Sequence, residues 1–498
     1  PRATLDDLEQ AILAARAAQP EWAARTDEER RAALSAAADE VEASAEALAQ
    51  LIAREQGKPL SGPGARFEVG AVVGWLRATI ATPLEPEVVV DDGQAKATVY
   101  YRPIGLVGAI GPWNWPAMIA TWQFAPALRM GNGVVMKPSE YTPLSVLATA
   151  HLVNRHLPEG LFTVLAGDRE LGEAIGSHPA FGKVTFTGSA RTGQAIMRAS
   201  ADNLTRLTLE LGGNDPGIVL PDVDPKAIAE GLFWGAFINT GQTCAALKRL
   251  YVHEDVYDDV VQELAAIAGA MPMGPGTDEQ NVLGPLTTEQ QFGVVDRLVE
   301  DAKARGGRVV LGGDPDRDAA GWFYPATLID GLDDDADLVR EEQFGPALPI
   351  LKYADVDDAI ERANRGDAGL GASVWSSDPE RARDVAAREL AVAGLDRADV
   401  DHHVDLARAV LDRAARLVGL HFRHRRAERE ADDGAHGDAR ALQDLGATPH
   451  PGAVHADRRE VVLQRFGAEL VDVGRGQRAA QLGGGSDPTH GIARARQA

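Results

Sequence analysis

The chain has 498 residues, of which 45% are apolar and 25% charged, and a formal net charge of −24. This length suits two or three domains, and the acid excess excludes nucleic acid as a partner, since phosphate binding needs clustered Lys and Arg. No apolar run approaches the roughly 20 residues of a membrane span, and the acidic, helix-like N-terminus carries no apolar signal segment, which points to a cytoplasmic protein with no membrane partner.

In chain order, residues 4–18 read as a helix: Thr4 and Asp7 give a capping-box start, and Leu5, Leu8, Ile12 and Ala15 recur at helical spacing. Thr26 and Glu29 open a second, longer helix that passes Leu48, Leu51 and Ile52 and ends near Gly57; residues 66–81 read as a third. Residues 88–101 form a hairpin turning at Asp92-Gly93, whose open edges suit cover by a partner subunit. Short apolar runs at 105–110, 133–137, 162–165 and 183–187 then alternate with helices. This predicts a doubly wound parallel sheet, with ligands beyond the carboxyl ends of its strands. Trp113, Asn114, Lys137, Glu140, Gly188 and Ser189 all fall there, and the stretch from Gly188 to Gly193 opens a helix whose free N–H groups could face a pyrophosphate. Residues 214–390 alternate again and read as a second α/β unit.

One hexapeptide concentrates the chemistry: Thr240-Gly241-Gln242-Thr243-Cys244-Ala245. Cys244 is the only cysteine, so it is an inert buried hydrophobe, an accidental surface thiol or a nucleophile. It follows an apolar run and a Gly241 turn, a setting that presents it at the edge of a buried element. Glu210 lies 34 residues upstream, between apolar neighbours and just before Gly212 and Gly213. It is either a surface-facing strand residue or the general base that a thiol enzyme needs.

Six segments, in order and at their spacings, resemble the aldehyde dehydrogenase superfamily. They are Pro112-Trp113-Asn114-Trp115-Pro116, Lys137-Pro138-Ser139-Glu140, Phe186-Thr187-Gly188-Ser189, Glu210-Leu211-Gly212-Gly213-Asn214, Gly241-Gln242-Thr243-Cys244 and Glu342-Gln343-Phe344-Gly345-Pro346. The resemblance runs from residue 1 to about 390. It implies an aldehyde dehydrogenase-like α/β fold: a Rossmann-type cofactor domain (1–84 and 104–212), an oligomerisation hairpin (85–103) and a catalytic domain (213–390).

The resemblance also implies the chemistry. Cys244 attacks the aldehyde, the Asn114 amide and the Cys244 N–H stabilise the oxyanion, hydride leaves to NAD, and Glu210 activates water to hydrolyse the thioester. Ile110, Pro112, Trp113, Lys137, Glu140, Gly188, Ser189, Leu211, Glu342 and Phe344 are the implied cofactor contacts. Glu140 beside the ribose favours NAD over NADP. Trp115, Met118, Trp122 and Ile238 line the implied substrate pocket and suit an apolar or aromatic aldehyde. No metal is expected, and the family implies a homodimer or homotetramer. Two other readings stay open: a catalytically impaired NAD-binding product, and a cofactor-independent thiol esterase.

Residues 391–498 break the pattern. They contain no Lys, Asn, Met, Trp, Tyr or Cys, and hold 8 of the 12 His. The missing types mostly have A/T-rich codons, so the segment reads as a GC-rich gene translated out of frame, or as a divergent or disordered extension. The family's last strand, which pairs across subunits, has no counterpart here, and a strand pair expected before residue 1 is also missing.

Overall fold

The structure is a computed structural model that describes residues 2–389; the expectations for the tail lie outside those residues. Four helices come first: α1 (Leu5–Ala24), α2 (Asp27–Ala43), α3 (Ala45–Gln56) and α4 (Ala65–Ala81). Thr4 with Asp7 and Thr26 with Glu29 form reciprocal capping boxes. The first helix continues through Pro20 because Trp22, just beyond it, is buried and donates its indole N–H to Leu128 O at 2.7 Å. The single helix expected between Thr26 and Gly57 is two. The chain breaks at Ser44 (φ −99°, ψ 10°), which lets the apolar stripes of α2 and α3 both pack on α4.

The hairpin β1 (Glu87–Asp91) and β2 (Lys96–Val99) is a separate antiparallel pair. Its turn is wider than Asp-Gly alone, because Asp92 accepts from the N–H groups of Gln94 and Ala95. Val88, Val89, Val90 and Val99 are exposed on it.

The first sheet contains β3 (Leu106–Ile110), β4 (Gly133–Lys137), β5 (Phe162–Val164), β6 (Lys183–Thr187) and β7 (Arg206–Glu210). Helices α5 (Pro116–Arg129), α6 (Pro143–Asn154), α7 (Arg169–Ser177) and α8 (Ala190–Ser200) connect them. All pairs are parallel and the order is β5-β4-β3-β6-β7. The chain builds outward from β3 to β5, then crosses to β6, so the topological switch point lies between β3 and β6. Register sets the strand ends level: Ile110 lies opposite Lys137 and Phe186, and Thr187 opposite Glu210.

The second sheet contains β8 (Asp215–Val219), β9 (Leu247–His253), β10 (Arg308–Leu311), β11 (Thr327–Asp330), β12 (Ala347–Tyr353) and β13 (Ser373–Trp375), in the order β10-β11-β12-β9-β8-β13. Only β10 and β11 run antiparallel. Its helices are α9 (Pro225–Phe237), α10 (Tyr257–Ala270), α11 (Glu289–Ala304), α12 (Asp337–Arg340), α13 (Val356–Ala363) and α14 (Pro379–Glu389). The sequence reading has neither β11 nor α12. Each spans four residues, too few to show a period. Among the described residues no helix is long and apolar enough to cross a membrane.

Trp22→Ala opens a cavity under α1 and removes a buried hydrogen bond. We expect a loss of about 3–5 kcal/mol, read as a lower urea midpoint by circular dichroism, with Trp22→Phe recovering part of it.

Candidate active site

The Cys244 loop enters through three successive left-handed residues: Asn239 (φ 52°), Thr240 (φ 56°) and Gly241 (φ 74°). The first two are strained and must be held by their surroundings. Thr240 Oγ1 donates to Gly284 O (3.1 Å) and accepts from Gly284 N (3.0 Å). Asn239 Nδ2 donates to Asn114 O (2.9 Å), and Gln242 Oε1 accepts from Thr287 N (2.9 Å). At Gly241 a Cβ would lie 2.2 Å from Gly345 O, so glycine is what lets this loop close on the Glu342–Pro346 segment.

Asn114 is buried between β3 and α5. Its Nδ2 donates to Gln242 O at 3.0 Å, two residues before Cys244. The next residue, Trp115, donates Nε1–H to Thr243 Oγ1 at 2.9 Å. Beneath this loop lies a pair that the sequence reading missed. Lys58 and Glu68 are 2.5 Å apart with no side-chain exposure. Lys58 Nζ also donates to Asn114 O (2.9 Å) and sits 3.4 Å from the centre of the Trp115 ring. Glu68 Oε1 accepts from the N–H groups of Ala117 (2.9 Å) and Met118 (3.2 Å), where α5 begins. Burial pushes Lys58 down to about 8. One signal could have found the pair: Glu68 lies on the apolar stripe of α4, with Ala65, Val69 and Val72.

Cys244 is half-buried. Burial pushes its thiol up to about 11; Lys248 and the Ala245 N–H oppose this, while Glu342 and Asp215 add to it. Lys248 is buried, donates to Gly241 O (3.2 Å), and lies 4.0 Å from the Glu342 carboxylate and 4.9 Å from the centre of the Phe344 ring. Glu342 accepts from Gly213 N at 3.2 Å, and burial raises its carboxyl above the usual range. Phe344 has φ 45° and packs edge-on to Trp113 at 5.4 Å. Asp215 is buried and pushed up to about 8 by desolvation. A Cβ at Gly212 would lie 2.1 Å from Glu342 Oε2, and one at Gly213 would lie 2.9 Å from Cys244 O. The two glycines just past Glu210 therefore bring the end of β7, the thiol loop and Glu342 together. Glu210 itself is half-buried.

The other expected contacts line the strand ends of the first sheet. Ile110 ends β3, Lys137 ends β4, and Gly188 and Ser189 follow β6. Lys137 Nζ donates to Pro138 O (3.1 Å) and lies 3.4 Å from the exposed Glu140 carboxylate. Ser189 caps α8, accepting from Thr192 N at 3.3 Å. Gln123, not anticipated, spans the switch point: its Nε2 donates to Ile110 O (3.1 Å) and Thr187 Oγ1 (3.3 Å). Pro112, Trp113 and Leu211 are half-buried. Strand ends, a switch point and a helix N-terminus fit a dinucleotide. Of the expected pocket residues, Trp115 is buried, while Met118, Trp122 and Ile238 are half-buried.

A buried loop bonded to a carboxamide, beside the switch point of a parallel sheet, has the layout of a nicotinamide-dependent oxidoreductase. A family-level comparison matches residues 1–399 to the aldehyde dehydrogenase family. Aldehyde dehydrogenase LUC3 of a Fusarium species is 36% identical over 389 residues, covering 78% of this chain and 82% of that protein. Phenylacetaldehyde dehydrogenase of Pseudomonas fluorescens is 37% identical over 396 residues, 76% and 78% of the two chains. The NAD+ complex of an aldehyde dehydrogenase from Bacillus cereus superposes with a TM-score of 0.75 at 35% identity, covering 78% and 80%. The chain belongs to the aldehyde dehydrogenase family and is an aldehyde-oxidising oxidoreductase with a nicotinamide cofactor.

Glu68→Ala strands the buried Lys58 ammonium under the Asn114 loop. Removing one member of such a pair costs about 3–5 kcal/mol. The thermal midpoint should fall accordingly, and the double variant Lys58→Met with Glu68→Leu should recover much of it.

Proposed function

We propose that the chain oxidises an apolar or aromatic aldehyde to the carboxylic acid, with NAD as hydride acceptor and Cys244 as nucleophile. The observation that carries this is the hydrogen bond from Asn114 to Gln242 O, which holds a carboxamide two residues from the thiol. In this reading the Cys244 thiolate adds to the carbonyl carbon and forms a thiohemiacetal. One Asn114 N–H is engaged by Gln242 O, which leaves the other and the Cys244 N–H as donors to the developing oxyanion. NAD, when bound, accepts hydride. Glu210 then takes a proton from water, and the hydroxide formed displaces the thiolate from the thioester.

In this reading Glu140, 3.4 Å from Lys137 just past β4, lies by the adenosine ribose, where its carboxylate disfavours a 2′-phosphate; this supports NAD over NADP. Glu342 and Phe344, beside Lys248 and Trp113, are assigned to the nicotinamide end. Met118, Trp122 and Ile238 supply an apolar pocket. The exposed valines of the hairpin support its assignment as an oligomerisation element (85–103) inserted in the cofactor domain (1–84 and 104–212), ahead of the catalytic domain (213–390). A nucleophilic thiol that must stay reduced supports a cytoplasmic location.

Cys244→Ala is expected to abolish NADH formation from phenylacetaldehyde while leaving NAD binding by calorimetry intact; residual turnover sinks this reading. Asn114→Ala should lower kcat by about 10²–10³. Glu210→Gln should keep a first burst of NADH and slow the steady state, because only hydrolysis is impaired. Equal turnover with NADP would remove the role given to Glu140.

A further inference from the structure

We propose that Lys248 is the positioning residue for the nucleophile: its buried ammonium is the positive charge against which the Cys244 thiolate forms. This rests on Cys244 being the nucleophile of the proposed reaction. The surroundings of the thiol are otherwise unfavourable to an anion. Glu342 and Asp215 both face it, from the loop before β12 and from β8, and both oppose its ionisation. Arg249, the next residue on β9, is committed elsewhere: its Nε donates to Asn214 O (2.9 Å) and its guanidinium NH₂ to Ala363 O (3.0 Å). Lys248, four residues past Cys244 and bonded back to Gly241 O of the thiol loop at 3.2 Å, is the cation that favours the thiolate.

Its three contacts are those of a cation. A carbonyl lies at 3.2 Å, a carboxylate at 4.0 Å and an aromatic face at 4.9 Å. The carbonyl belongs to Gly241, so the side chain reaches back beneath the loop that presents the thiol and joins its two ends. Burying an ammonium is costly without a use for the charge, and an apolar side chain would fill the same space without that cost. Ionisation sends the thiol proton to solvent and leaves a thiolate whose charge Lys248 offsets against Glu342 and Asp215.

Because the chain holds a single cysteine, iodoacetamide adducts counted by mass spectrometry on the cofactor-free protein report on Cys244 alone. The alkylation rate of the parent should rise steadily from pH 7 to 10. Lys248→Met should slow alkylation at pH 8 by at least about tenfold, because fewer thiols are then ionised. Lys248→Arg keeps the charge and should stay within about threefold of the parent. Glu342→Gln removes an opposing carboxylate and should alkylate faster than the parent. A purely structural role gives the opposite sign for Lys248→Met, since a loosened loop exposes the thiol and speeds its reaction. The proposal is overturned if Lys248→Met matches or exceeds the parent, if Lys248→Arg is as slow as Lys248→Met, or if Glu342→Gln fails to accelerate. None of these readouts needs turnover, so failure of the dehydrogenase reading would appear separately, as NADH formation by Cys244→Ala.

Discussion

The hydrogen bond from Asn114 Nδ2 to Gln242 O joins the first sheet to the second at the point where the chemistry is assigned. Neither partner belongs to a helix or strand, so no repeating ladder fixes their separation. The fixing comes from buried side-chain amides and one ion pair. Asn239 donates to Asn114 O, Gln242 is held by Thr287, and Lys58 binds Asn114 O from below. Each such bond contributes only about 1 kcal/mol net, but leaving one buried partner unpaired costs about 1–3 kcal/mol. The network therefore acts less as glue than as a penalty on every other arrangement of the two loops.

Backbone geometry serves the same closure. Three left-handed residues in a row, two of them not glycine, turn the chain from α9 into the thiol loop. Phe344 adopts φ 45° in the segment that closes over it. Such conformations persist only where the surroundings over-determine them. Here the hydroxyl of Thr240 and the contact between Gly241 and Gly345 O do so. Gly212 and Gly213 play the matching part at the end of β7, where a Cβ would strike Glu342 or the Cys244 carbonyl.

Much of this was legible in the sequence, and the boundary is physical. Parallel strands buried on both faces announce themselves as apolar runs, so β3, β4 and β6 were found at nearly their true limits. Both capping boxes at the N-terminus were readable because their spacing is local. The break at Ser44 was not, since Ala-rich sequence runs through it and tertiary packing on α4 decides. At the site, Cys244, Asn114 and Glu210 stood out through their motifs. Lys58, Glu68, Gln123 and Lys248 did not, because their roles come from partners 10 to 94 residues away or from the far side of a loop. A charged residue on an apolar helical stripe, as at Glu68, is the one local sign that such a partner exists.

The buried cations show why that sign matters. The chain has eight lysines, and three of them are buried: Lys58 beneath the Asn114 loop, Lys137 at the end of β4 and Lys248 bonded to the Cys244 loop. Arginine supplies most of the remaining positive charge, and it would keep that charge in any of these places. A lysine is smaller, binds carbonyls as a point charge, and responds to burial: Lys58 and Lys248 are both pushed below the ordinary range by desolvation. Each is held against that pressure by a carboxylate, Glu68 in one case and Glu342 in the other. The two pairs solve different problems with the same parts. The first is sealed on all sides and sets the position of a donor. The second is bonded to the loop that carries the sulfur, and its charge favours the opposite charge there.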